Sequence, residues 1–147
     1  MSAPKLTQDE AFARIRLLRS ANIGPVTYAQ LLARFGTAED ALHALPELAK
    51  RGAKRGYTPA PRDRIEREIT AARKAGARYV FHDMPEYPEL LGQLESAPPM
   101  MTVRGDMALA VKPCVAMVGA RNASAAAVKL ARDFGRALGE GGFTVVS

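Results

Sequence analysis

At 147 residues and 48% hydrophobic, with charges of both signs, the chain is too apolar to be a disordered polymer and long enough for one medium or two small packed domains. Its 21 Lys plus Arg against 15 Asp plus Glu give a formal charge of +6 and a pI near 9.8, which suits a polyanionic partner or simply a solvated basic surface. A single cysteine, Cys114, excludes an internal disulfide, and with only His43 and His82 beside it the chain offers neither a metal-ligand cluster nor a nucleophile-His-acid triad. No metal or cofactor is expected. The start, Met1 to Lys5, runs into a charged helical pattern instead of an apolar signal segment, and no apolar run approaches the roughly 20 residues of a membrane helix. A cytoplasmic protein without membrane contact is expected.

Thr7, three residues before Glu10, predicts a capping box opening a helix in which Ala11, Ile15 and Leu18 recur at helical spacing. Ser20 to Pro25 interrupts it, and Pro25 suits the first turn of a second helix, where its missing N–H has no intrahelical acceptor. That helix runs to about Phe35, with Gly36 as its stop. Thr37 and Asp40 open a short third helix through Ala41 and Leu42, and a further turn spans Pro46 to Arg51. Lys50 to Pro61, with two glycines and two prolines among Lys50, Arg51, Lys54 and Arg55, reads as an exposed basic loop. Arg62 to Ala75 is helical, with Ile65, Ile69 and Ala72 on one face and Gly76 ending it.

Ala77 to Phe81 then has strand character, and the change of period places a domain boundary near Ala75. Tyr87 to Leu91 reads as a short helix and Met100 to Val103 as a strand. Cys114 to Val118 is a continuous apolar run of the kind buried on both faces of a parallel sheet, which makes Cys114 a buried, reduced thiol. Ser124 caps a helix to about Glu140 with a buried stripe of Val128, Ala131, Phe134 and Leu138; Gly141-Gly142 ends it, and Phe143 to Val146 is a strand. Strand, crossover helix and strand make the βαβ unit of a parallel sheet.

The turn Val118-Gly119-Ala120-Arg121-Asn122-Ala123-Ser124 carries the strongest chemistry. A glycine at the carboxyl end of a strand permits close backbone approach, and the following helix start offers unpaired N–H groups and a positive dipole end, a setting for phosphate. Arg121 adds a planar cation and Ser124 either caps the helix or donates to a ligand. The structural alternative is a plain turn, with Arg121 paired to a local carboxylate. Neither a dinucleotide fingerprint nor a P-loop is complete here.

Val118 to Ser124 resembles the V-G-S/A-R-x-x-S signature of the DNA-processing protein A (DprA/Smf) family, and Gly141 to Ser147 resembles its G-x-x-V-V-S segment. Tyr87-Pro88-Glu89-Leu90-Leu91 and Ala97 to Asp106 are similar to its Y-P-x-x-L and P-P-x-L-x-x-x-G-D segments. The resemblance implies an α/β chain: a small helical SAM-like (helix-hairpin-helix-like) domain over residues 1–75, then the first part of a Rossmann-like parallel-sheet domain over 76–147. It implies single-stranded DNA binding and protection, with loading of the RecA recombinase during natural transformation, and no enzymatic activity. Arg121 is then the backbone contact, with Gly119 and Ser124 completing the pocket. Ala120 departs from the commoner serine and removes a hydroxyl donor. The chain stops where the family continues with a glycine-rich segment, so a fragment is expected, its homodimer and RecA-contacting surfaces lying in the missing C-terminal half.

Ser20 to Val26 is similar to a helix-hairpin-helix turn, though a plain helix connection accounts for it as well. Lys50, Arg51, Lys54 and Arg55 are candidate nonspecific DNA contacts and Tyr57 a candidate base-stacking residue; a solvated face is the alternative. His82-Asp83 and Gly105-Asp106 read as strand-end and turn polarity. A nucleotide-binding enzyme that cleaves nucleoside phosphates, and a helical protein-interaction module, are the alternative functions.

Overall fold

The computed structural model of the chain describes residues 6–51 and 56–147, the side chain of Arg51 excepted. The elements run α1 (Gln8–Leu18), α2 (Pro25–Phe35), α3 (Ala38–Arg51), α4 (Arg62–Lys74), β1 (Ala77–Phe81), α5 (Glu89–Gly92), β2 (Met100–Arg104), β3 (Cys114–Ala116), α6 (Ala125–Glu140) and β4 (Thr144–Val146), with a 3₁₀ turn at Met107–Val111. Contacts divide them into two compact units, Met1–Arg104 and Gly105–Ser147.

In the first unit α1 is buried on two sides. Ala13 and Leu17 join Tyr28, Leu31, Ala38, Ala41, Leu42 and Leu45 in one cluster, while Ile15 joins Ala60, Ile65 and Phe81 in another. A helix held between two clusters has no single apolar stripe, which is why Leu17, fully buried, lies off the expected Ala11-Ile15-Leu18 face. The Thr7 hydroxyl accepts from the Glu10 N–H at 3.2 Å, as a cap should. Glu10 does not complete the expected box. Its carboxylate instead accepts from the Ala38 N–H at 3.0 and 3.2 Å, capping the start of α3 from a distance, and pairs with Arg14 at 3.0 Å.

Two expectations about the next segment are corrected. α3 continues through Pro46 to Arg51 as one helix, so Lys50 sits on a helix and not in a loop. The segment after the basic stretch is also anchored. Tyr57 donates its hydroxyl to Ala21 O at 2.8 Å and packs, half-buried, against the first cluster, while Arg16 donates to Ala60 O at 2.7 Å. Ser20, buried in the turn after α1, donates to Arg16 O and accepts from the Ala60 N–H. The Ser20 to Pro25 connection is thus tied inward, with Asn22 at φ 62° making the sharp reversal.

α4 and β1 fall within a residue of expectation, but the packing break does not come at 75. β1 pairs antiparallel with β2, from Ala77 opposite Arg104 to Phe81 opposite Met100. Phe81 closes the Ile15-Ile65 cluster, and Val80 is fully buried. Arg19 grips the Glu68 carboxylate at 2.8 Å, and Tyr79 donates to the same carboxylate at 3.2 Å, joining α1, α4 and β1. The compact packing unit that holds the helices accordingly runs on past residue 75 to Arg104. Tyr87 is buried and donates to Pro98 O at 2.8 Å, so the tyrosine of the Y-P-x-x-L segment pins the loop between β1 and β2.

The second unit is a single βαβ layer. β3 and β4 pair in parallel, Cys114 opposite Thr144 through Ala116 opposite Val146, and the Met117 N–H donates on to Val146 O at 2.8 Å. Strand, helix and strand fall where periodicity places them, but the expected burial does not follow. Val118 is 97% exposed, and Val128, Phe134 and Val146 are exposed as well. Cys114 is exposed too, its thiol donating to Lys112 O, which corrects its reading as a buried thiol.

Candidate nucleic-acid interface

The turn between β3 and α6 is built by the cap. The Ser124 hydroxyl accepts from the Ala127 N–H at 3.2 Å with extended backbone at Ser124, and the Val128 N–H closes the first helical bond to Ser124 O at 2.9 Å. Ser124 therefore serves the helix start through its oxygen. Of its two expected roles the cap is the one occupied. The Ala125 and Ala126 N–H groups stand in the first turn, where no intrahelical acceptor exists, and no side chain among the described residues takes them. All of Gly119 to Ser124 is exposed.

Nothing among the described residues requires a glycine at 119. A Cβ built there meets no atom within 4 Å, and the backbone is not in the left-handed region. Gly119 thus leaves open space at the end of the strand, as a close-approaching ligand needs. Arg121 forms no ion pair or hydrogen bond with the described residues. The carboxylate partner that would have made it structural is not there, in contrast to Lys129, which pairs with Asp133 at 2.7 Å on the same unit's helix. An unpaired guanidinium beside free helix-start N–H groups is an arrangement that can receive a phosphate oxygen.

The basic stretch is a different case. Lys50 pairs with Glu47 along α3, so its charge is already engaged. Lys54 and Arg55 lie outside the described residues, as does the side chain of Arg51. Tyr57 is committed to Ala21 O and to the helical cluster, which removes it as a base-stacking candidate. His82 meets Gly92 O through Nε2 at 3.2 Å, Asp83 binds Arg14, and Asp106 accepts from the Ala108 N–H. The strand-end and turn roles read for His82 and Asp106 agree with their local contacts, whereas Asp83 is engaged by a distant arginine.

Sequence reasoning missed the Arg14-Asp83 pair, because its partners are 69 positions apart. Burial opposes the charge on Arg14, but hydrogen bonds to Asp83 and Glu10 outweigh it and raise the pKa. Glu68 is held below the usual carboxylate range by the Arg19 hydrogen bonds against an opposing burial effect. Tyr79 is pushed up to about 12 by burial and by the neighbouring Glu68 carboxylate.

Among the described residues no group of His, Cys, Asp and Glu is arranged to hold a metal ion, and no helix is long and apolar enough to cross a membrane. No curated protein matches the chain. Two family models do. Residues 8–71 match the DprA-like N-terminal HHH domain, and residues 78–147 match DNA recombination-mediator protein A. The matched segments follow one another in the order of the helical elements and the strand-containing part, and between them take in nearly the whole chain. With an α/β architecture that agrees, the chain belongs to the DprA family of DNA-binding recombination mediators.

Proposed function

We propose that this chain binds the backbone of single-stranded DNA at the β3-α6 turn, protects it, and in the whole protein serves to load RecA recombinase during natural transformation, with a homodimer as the working form. The observation that carries the DNA reading is Arg121: an exposed guanidinium without a partner among the described residues, next to two helix-start N–H groups that none of those residues takes and the open space at Gly119. Structural arginines of this chain, Arg14 and Arg19, are engaged by carboxylates; Arg121 is left for something outside. A phosphodiester supplies the matching charge, and the role is binding, with no chemical step. Ser124 supports the site by holding the helix start open, and Gly119 by giving it clearance.

Fluorescence anisotropy with a labelled single strand tests this on the full-length protein. Arg121→Ala is expected to weaken binding by about 1.5–3 kcal/mol, with Arg121→Lys between the two because it keeps the charge and loses the fork. Log affinity should fall linearly with log salt, with a slope of about −0.7 for each phosphate neutralised. Unchanged affinity in a folded Arg121→Ala protein removes the site. Nucleoside-phosphate hydrolysis by the wild type that Arg121→Ala abolishes would favour the enzyme reading instead.

A further inference from the structure

Within the first unit, α2 and the segment 82–99 line an open cavity of about 450 Å³, a size that accepts a ligand or a few inserted side chains. Val26, Ala29 and Leu32 line it from α2, and Leu94 and Pro99 from the facing segment. Two of these, Val26 at 67% and Leu94 at 55%, remain exposed, which is a cost that a purely structural groove has no reason to carry. Tyr28 also lines the cavity, and its buried hydroxyl has no hydrogen-bond partner among the described residues.

The charges around this cavity oppose the sign of the chain. Among the described residues that line it, Arg14 and His82 carry the basic side chains, but Arg14 Nη1 reaches both Asp83 oxygens at 2.8 Å and Nε reaches Glu10 at 3.0 Å, so its charge is directed inward. Glu95 is exposed on the lining with no ion pair or hydrogen bond to the described residues, and Asp83 keeps more than half of its side chain in solvent. With Arg14 answered by Asp83, Glu95 leaves one uncompensated negative charge on an apolar site, in a protein whose formal charge is +6. A phosphate backbone is disfavoured there. An occupant combining apolar side chains with a cation is favoured.

We propose that this cavity is a docking site for a basic amphipathic segment of a partner protein, its apolar side chains entering among Val26, Leu32 and Leu94 and a lysine or arginine facing Glu95. The inference is independent of the Arg121 site.

The test uses full-length protein and a labelled helical peptide with leucines at i, i+4 and i+7 flanked by lysines, beside the same peptide with glutamates. The basic peptide should bind and the acidic one should not. Glu95→Lys, on an exposed side chain whose replacement leaves the fold intact, should weaken the basic peptide about tenfold or more, and Leu94→Asp should do so as well. Arg121→Ala should leave peptide binding unchanged, and Leu94→Asp should leave single-stranded DNA binding unchanged. Equal binding of both peptides, no binding of the basic one, insensitivity to both substitutions, or displacement of the peptide by single-stranded DNA would each overturn the proposal, the last by making this a nucleic-acid surface.

Discussion

The two compact units of this chain are written in similar apolar language and come out differently. In the first, Ile15, Leu17, Ile65 and Val80 are each at most 2% exposed; in the second no residue is buried and large apolar side chains such as Val118, Leu130 and Phe134 face solvent. The difference is one of layers. The first unit stacks helices on both sides of α1 and closes one cluster with β1, so both apolar sides of α1 are covered. A βαβ layer with two strands has faces that nothing in Gly105–Ser147 covers. Stability belongs to the first region, and the open candidate turn to the second.

The largest effect that can break this contrast comes from cutting the first unit. Residues 1–104 expressed alone should melt cooperatively, because the antiparallel β1-β2 pair travels with the helices. Residues 1–75 should not, or should melt far lower. Removing β1 takes away Val80 and Phe81, each worth about 1.5–3 kcal/mol when fully buried, and strips cover from Ile15 and Ile65. That is a large share of a typical domain stability of about 5–15 kcal/mol. Equal melting of the two fragments, followed by circular dichroism, would show that the helices fold without the β1-β2 pair.

Single substitutions sharpen the same contrast. Ile65→Ala, at a fully buried site in the second cluster, should cost about 2–5 kcal/mol, read by urea unfolding. Phe134→Ala removes a larger side chain that is 56% exposed on α6. It should change stability by no more than about 0.5 kcal/mol. Comparable losses at the two sites would mean that Phe134 is packed in the protein in solution.

What the sequence made legible follows the same division. Helix starts and stops that depend on local chemistry, such as the Thr7 and Ser124 caps and the glycine after α4, could be read directly, as could β1 and the β3-α6-β4 order. Features set by distant partners could not. Glu10 looks like half of a capping box, and only the fold reveals that it caps α3 instead. Pro46 looks like a break, yet α3 carries it, since packing of Leu45 before it and Leu48 after it against the first cluster holds the helix on both sides of the site. Cys114 to Val118 reads as a buried strand because composition reports what a residue prefers, not whether a second layer is present. At the candidate site the pattern named Gly119, Arg121 and Ser124. That Arg121 has no partner among the described residues needed the geometry.

A smaller effect concerns the Arg19-Glu68-Tyr79 link. Glu68 has its folded pKa depressed, so its contribution is present above the ordinary carboxylate range and is lost as pH falls through the folded value. Tyr79 has its pKa raised to about 12, so its contribution is present below the ordinary phenol range near 10 and is lost as pH rises from there towards 12. Glu68→Gln should cost about 1 kcal/mol at neutral pH and shrink the acid loss. The same variant should bring the Tyr79 titration, followed by tyrosinate absorbance, part of the way down. Burial is the larger cause of that shift, so a return all the way to 10 would contradict the packing of Tyr79 described above.

The smallest expected effect is at Lys50, and it separates the two basic regions of the chain. Lys50 and Arg121 are both exposed cations suggested by sequence, but Lys50 already has Glu47 beside it on α3, whereas Arg121 has no partner among the described residues. An exposed lysine paired this way loses part of its pull on a phosphate to its own carboxylate, and the pair itself is worth little to the fold. Lys50→Ala should therefore weaken single-stranded DNA binding by less than about 0.5 kcal/mol and alter the salt slope by less than the 0.7 or so that one neutralised phosphate contributes. Glu47→Gln gives the converse measurement: if Lys50 sits on the DNA path, releasing it should strengthen binding and steepen the salt dependence. A loss at Lys50 equal to that at Arg121 would move the DNA contact onto the end of α3, and the contrast between a stable helical unit and an open binding turn would have to be redrawn.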